Sequence, residues 1–180
     1  MAKAKSGLGY GEMIGLGLLI AAVAMIAWPR GGTGVLVPVG TPLPELLAEG
    51  WLNVVTESPT LENLAGKVVV VDCWATWCGP CRASMPKLAR IYESYRESDV
   101  EFIGLTNEGK TQRVGIEQFV DAIDGFDWPV GYGSGITQDM LGISVLPTLV
   151  VFGKDGKAVW SSTSTQGLEA VLDEALAKAM

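Results

Sequence analysis

The 180-residue chain contains no histidine. That removes the usual base of serine triads and metallohydrolases, and it removes imidazole-ligated metal. Cysteine is scarce: Cys73, Cys78 and Cys81 are the full set, and they form a single CxxC pair. A structural zinc site wants about four ligands, so carboxylates would have to make up the number; no metal and no other cofactor is expected. Positive charge is thin as well. Thirteen Lys and Arg stand against twenty Asp and Glu, a net charge of −7, and the basic residues are scattered. Nothing here suits a nucleic-acid surface. Gly131-Tyr132-Gly133-Ser134-Gly135 is glycine-rich but lacks the Lys and the preceding long strand of a phosphate loop. It reads as a flexible turn.

Long apolar runs are also few. One, Met13 to Trp28, carries no charge over sixteen residues, with Lys3 and Lys5 before it and Trp28-Pro29-Arg30 after it. A spanning helix needs about 20 residues, and Leu8–Gly11 lengthens the stretch across Glu12. Residues 1–30 are therefore read as a single-pass anchor in the cytoplasmic membrane, Lys3 and Lys5 inside. The alternative is a signal peptide cleaved at Ala22-Val23-Ala24. Either places the rest of the chain on the extracytoplasmic, periplasmic side. Gly11 and Gly15 have GxxxG spacing, for which ordinary glycine content is explanation enough. The absence of Cys near residues 20–30 excludes lipid modification there.

What is present is Trp77-Cys78-Gly79-Pro80-Cys81, behind the β-branched run 67–74 and ahead of a helical pattern with Met85, Leu88, Ile91 and Tyr92. A buried strand feeding a helix puts Cys78 at the helix N-terminus, where free N–H groups and the dipole favour a thiolate. The thiolate is the reactive species in thiol–disulfide exchange. Cys78 is the candidate attacker and Cys81, one turn in, the candidate resolver. A permanent structural disulfide is the plainer alternative.

Residues 31–45 are rich in Gly, Pro and Val and read as a linker; 46–180 is long enough for one domain with its own core. Strands are expected at 51–56, 67–74, 100–106, 128–131, 147–152 and 157–161, the last two joined by the turn Lys154-Asp155-Gly156. Helices are expected at 60–64, 81–98 with a kink at Pro86, 112–123, 136–141 and 165–179.

Strand–helix–strand, then a hairpin and a helix, is the order of the thioredoxin fold, an α/β architecture with a central mixed sheet flanked by helices. Residues 40–180 resemble the membrane-anchored, extracytoplasmic TlpA/ResA branch of the thioredoxin-like family. The resemblance rests on Val69-Val70-Val71-Asp72-Cys73-Trp74-Ala75-Thr76-Trp77-Cys78-Gly79-Pro80-Cys81-Arg82, on Pro86, on Leu146-Pro147-Thr148 and, more weakly, on Gly40-Thr41-Pro42-Leu43-Pro44. The helix and strand between Thr106 and Leu146 match the branch's insertion. The resemblance implies a cis Leu146–Pro147 bond beside the two Cys, where the Leu146 backbone pairs with an extended substrate, although a Pro opening a strand is ordinary in itself. Trp77, Gly79, Pro80 and Leu146 are the candidate substrate contacts.

The chain departs from its branch in its acids. The branch often has Asn six residues before the first Cys and Glu three residues after the second; here these are Asp72 and Ser84. Asp72 is the acid position of thioredoxin itself, the candidate acceptor for the Cys81 proton, although Val100–Asn107 lacks thioredoxin's nearby Lys. A hydrogen-bonded structural acid is its plainer role. Cys73 faces the opposite side as a small hydrophobe. Trp74 and Trp77 read as active-site packing. The resemblance implies a monomeric oxidoreductase that reduces protein disulfides, apocytochrome thiols in cytochrome c biogenesis being the branch's best-known substrate. It also implies a membrane thiol reductase as electron donor. The other class of reading is a binding module or chaperone with a static disulfide.

Overall fold

The computed structural model describes residues 36–178. The anchor or signal segment at 1–30, with Lys3, Lys5, Gly11, Gly15 and residues 22–24, lies outside the described residues. Among those described, no helix is long and apolar enough to cross a membrane.

The elements are β1 (Gly50–Leu52), α1 (Leu61–Leu64), β2 (Val68–Trp74), α2 (Gly79–Tyr95), β3 (Val100–Thr106), a 3-10 turn (Lys110–Gln112), α3 (Arg113–Asp121), β4 (Val130–Tyr132), α4 (Gly135–Met140), β5 (Thr148–Phe152), β6 (Ala158–Ser162) and α5 (Leu168–Ala177). The sheet order is β1-β4-β3-β2-β5-β6. β2, β3 and β4 run parallel; β1, β5 and β6 add antiparallel edges. The expected mixed sheet with an inserted helix and strand is what the chain builds.

Both faces of the sheet are covered, which is why β2 reads as one apolar run rather than an alternation. Val68, Val70 and Trp74 pack with α2, α3 and α5 through Met85, Leu88, Ile116, Phe119, Leu168 and Leu172. Val69, Val71 and Cys73 face the other way, toward Val37, Leu43, Leu46, Leu64, Leu141 and Phe152.

Three local expectations change. Residues 36–46 are bound to the domain, so the linker reading ends before residue 36. Val37 exchanges bonds with the Ser161 hydroxyl. The Gly40 and Leu43 amides donate to the carbonyls of Ala158 and Gly156. Gly and Pro here serve a segment laid along β6, not a free connection. β1 stops at Leu52 because Asn53 turns the chain at φ 54°, with its side-chain amide held by the carbonyls of Phe126 and Trp128. The glycine-rich 131–135 stretch is not a loose turn. Gly131 and Tyr132 belong to β4, paired on both sides with β1 and β3, and Gly135 opens α4.

Candidate active site

β2 and β3 run parallel, so their carboxyl ends share one edge of the molecule, the edge where open α/β sheets place their sites. From that edge β2 leads through Ala75, Thr76 and Trp77 into α2. The helix begins at Gly79, earlier than the CxxC spacing suggests. Pro80 causes no break because amides in the first turn have no intrahelical partner to lose. Cys78 is the N-cap, and its Sγ accepts the Cys81 amide at 3.1 Å. Cys78 and Cys81 are joined in a disulfide, S–S 2.01 Å. Cys81 is fully buried and Cys78 only 4% exposed, while Gly79 and Pro80 are exposed beside them. The helix continues through Pro86 without interruption.

Asp72 projects from β2 on the same face as Val70 and Trp74, the face that α2 and the disulfide cover. It is 2% exposed, and its Oδ2 has no hydrogen-bond partner. Burial pushes its pKa up to about 8, so the carboxyl is mostly protonated at neutral pH and lies within reach of ionisation. Cys73, on the opposite face, is a free and fully buried thiol. Burial, and secondarily the neighbouring Asp72, push its pKa far above the range of a working thiolate. Ser84 donates its hydroxyl to the Cys81 carbonyl at 2.9 Å and leaves Asp72 as the acid on this face of β2.

The Leu146–Pro147 bond is cis. Thr148 opens β5 opposite Cys73, which sets Pro147 beside the end of β2 from which the CxxC loop emerges. Leu146 is partly buried against both core clusters. The two tryptophans part company. Trp74 is fully buried and stacks on Phe119 at 4.6 Å, as packing requires. Trp77 is 70% exposed and lies outside the core; it stands on the surface next to the pair.

Glu108, in the loop after β3, belongs to this site and was missed from sequence. Its carboxylate accepts the Thr76 amide at 2.6 Å, the Thr76 hydroxyl at 2.5 Å and the Thr106 hydroxyl at 3.1 Å. Charge-assisted bonds of this kind are the strong ones. The Arg82 guanidinium lies over the Phe119 ring and reaches the Thr76 carbonyl at 3.5 Å. The turn carrying Trp77 and Cys78 is therefore pinned by an acid and a base from two elements. The only sequence signal was an acidic residue two positions past a strand's carboxyl end.

A family model described as thioredoxin-like matches residues 66–158, the segment from the start of β2 to the start of β6. The chain belongs to the thioredoxin-like family. Among thioredoxin-like relatives, the thiol-disulfide oxidoreductase ResA of Oceanobacillus iheyensis is 36% identical over 98 residues, 54% of this chain and 50% of that protein. ResA of Bacillus subtilis is 30% identical over 106 residues, 58% of each. The chain spans about half the length of the curated relatives it matches. A solved thiol-disulfide isomerase from Corynebacterium glutamicum superposes with a TM-score of 0.66 at 25% identity, covering 77% of this chain and 98% of that one.

Proposed function

We propose that the protein is an extracytoplasmic, membrane-tethered thiol–disulfide oxidoreductase that reduces protein disulfides. One observation carries the reading: a disulfide at a helix N-terminus stands over a buried, unpartnered carboxyl whose proton affinity falls near neutrality. A static disulfide needs no such acid beneath it.

The reduced enzyme attacks through the Cys78 thiolate, steadied by the free amides of α2. A bond forms between Cys78 Sγ and one substrate sulfur, the substrate disulfide breaks, and the leaving thiolate takes up a proton. Cys81 then loses its proton to the Asp72 carboxylate and attacks Cys78 Sγ. The second substrate thiolate departs, and two electrons have passed from the dithiol to the substrate. Leu146 and Pro147 frame the groove in which an extended substrate pairs, with Trp77, Gly79 and Pro80 on its rim. The Gly-Pro spacer is that of thioredoxin, with a potential of about −270 mV, and this supports the reducing direction. A reductant on that side of the membrane needs electrons from a membrane thiol reductase. The resemblance to the TlpA/ResA branch supports, as substrate, the oxidised cysteine pair of an apocytochrome, whose thiols are regenerated before haem attachment.

The test is asymmetric trapping. Cys81→Ser accumulates mixed disulfides through Cys78, whereas Cys78→Ser accumulates few, read on non-reducing gels. The wild type reduces insulin with a thiol donor. Equal trapping by both variants, or no insulin reduction, sinks the reading in favour of a binding module with a static disulfide.

A further inference from the structure

Among the described residues, three buried side-chain polar atoms have no hydrogen-bond partner: Asp72 Oδ2, Trp74 Nε1 and Trp128 Nε1. Buried polar groups are nearly always paired, so three orphans in one core need a common account. The two indole nitrogens meet over one backbone position, and Asp72 is its neighbour on the adjoining strand. A Cβ added at Gly104 would stand 3.0 Å from Trp74 Nε1, 3.3 Å from Trp128 Nε1 and 3.2 Å from the Val130 side chain. Gly104 on β3 is the register partner of Asp72 on β2, and register partners project to the same face. Trp74 is two residues beyond Asp72 and shares that face.

The two indoles cannot swing away. Trp74 stacks on Phe119 at 4.6 Å, and Trp128 stacks on Phe126 at 4.1 Å; both tryptophans are fully buried. Glycine at 104 is what lets their N–H edges approach each other. Two fixed donors and one acceptor are the partner set of a single buried water, which takes about three bonds.

We propose that Trp74 and Trp128 are positioning residues for the resolving step, their indole N–H groups holding one water against the Asp72 carboxyl over Gly104 and steadying its ionised form. The inference rests on the oxidoreductase reading for the step it serves. Among the described residues, no charged side chain is found to do this work instead. Asp72's neighbours across the ladders are Gly104 and Leu149. The N-terminus of α2 brings the Cys78–Cys81 pair to the core on this face, and α3 and α5 bring Phe119, Leu168 and Leu172. Cys73 faces the other side. Burial alone accounts for the raised Asp72 pKa, with no neighbouring charge contributing. A donor pair that favours the carboxylate keeps that pKa within reach of neutral pH.

The test uses the full-length protein. In wild type, the indole N–H resonances of Trp74 and Trp128 titrate together with the Asp72 carboxyl carbon, at one midpoint, and stay silent in Asp72→Asn. Replacing Trp128 with its sulfur isostere 3-benzothienylalanine keeps the shape and removes the donor. Asp72 then titrates about half a unit to one unit higher, and mixed-disulfide resolution at pH 7 slows by about three- to tenfold while its high-pH plateau is kept. Trp128→Phe gives the same direction. Indoles that ignore the Asp72 titration, or an Asp72 midpoint unmoved by the isostere, overturn the proposal and leave the indoles as packing. The NMR readout does not depend on activity. If Asp72→Asn resolves at the wild-type rate while the indoles still follow Asp72, the proton-acceptor reading has failed and the indole contact has not.

Discussion

Asp72 carries the proposed proton transfer, and that role is measurable in two independent ways. As proton acceptor it must be ionised, so the resolution rate in wild type rises with pH with its midpoint near the Asp72 pKa of about 8 and levels off above it. Asp72→Asn flattens that profile and slows resolution by about 10²–10⁴-fold, the usual worth of a positioned base. Ser84→Glu in that background, which supplies an acid one turn past Cys81, restores part of the rate; stopped-flow thiol exchange checks both. The same group shapes stability. Its folded pKa lies above the ordinary 3.8, so the folded state holds a proton that the unfolded state has released. Its contribution is fully present below about pH 4 and lost as pH rises toward 8. Asp72→Asn therefore unfolds like wild type at pH 4. It gains on wild type by up to about 1.4 kcal/mol per pH unit between pH 4 and 8. Urea titrations across that range show the gap open, and a pH-independent gap would mean that Asp72 is ionised throughout.

At the level of elements, the site is a junction. Strand β2 ends, three residues turn, and helix α2 begins at the reactive sulfur, with the turn pinned from outside by Glu108. Glu108→Gln puts a neutral amide where a carboxylate accepts two bonds from Thr76. The amide oxygen can take only one of them, with the other reversed at the hydroxyl, and the charge assistance is lost. The expected cost is about 1–3 kcal/mol and a several-fold slower attack by Cys78, read by urea unfolding and single-turnover reduction. Hydrogen exchange at the Thr76 amide rises in the variant. Unchanged exchange at Thr76 would make Glu108 a bystander. This brace was hard to read from the chain because its residues are 32 apart in sequence, and one acid after a strand looks like any other.

For the whole molecule, the sheet needs both faces covered, and residues 36–46 cover part of one. Val37, Leu43 and Leu46 are buried there, each worth about 1.5–3 kcal/mol. A chain beginning at residue 36 keeps the stability of the full domain. One beginning at residue 48 loses several kcal/mol and melts well below it, by calorimetry or circular dichroism. Equal melting of the two would mean that the segment merely rests on β6. Composition hid this role, since Gly and Pro are common to free linkers and to segments that pair through their backbone.

Much of the site is local and was legible for that reason. The CxxC at a strand–helix junction, the acid two residues before the end of β2, the opposed Cys73 and the Pro just before β5 depend on a period of two and on neighbours a few residues away. β3 was placed at its observed bounds because its apolar run is bounded by turn-forming residues. Contacts between distant segments were not legible. Exposure of Trp77 and burial of Trp74 look alike in sequence, because both are aromatic residues near the motif. The Glu108 clasp and the meeting of two indoles over Gly104 arise only when β2, β3 and β4 align in register, and the packing of residues 36–46 only when β6 is in place beside β5. Burial and pairing are properties of that alignment, and no single segment carries them.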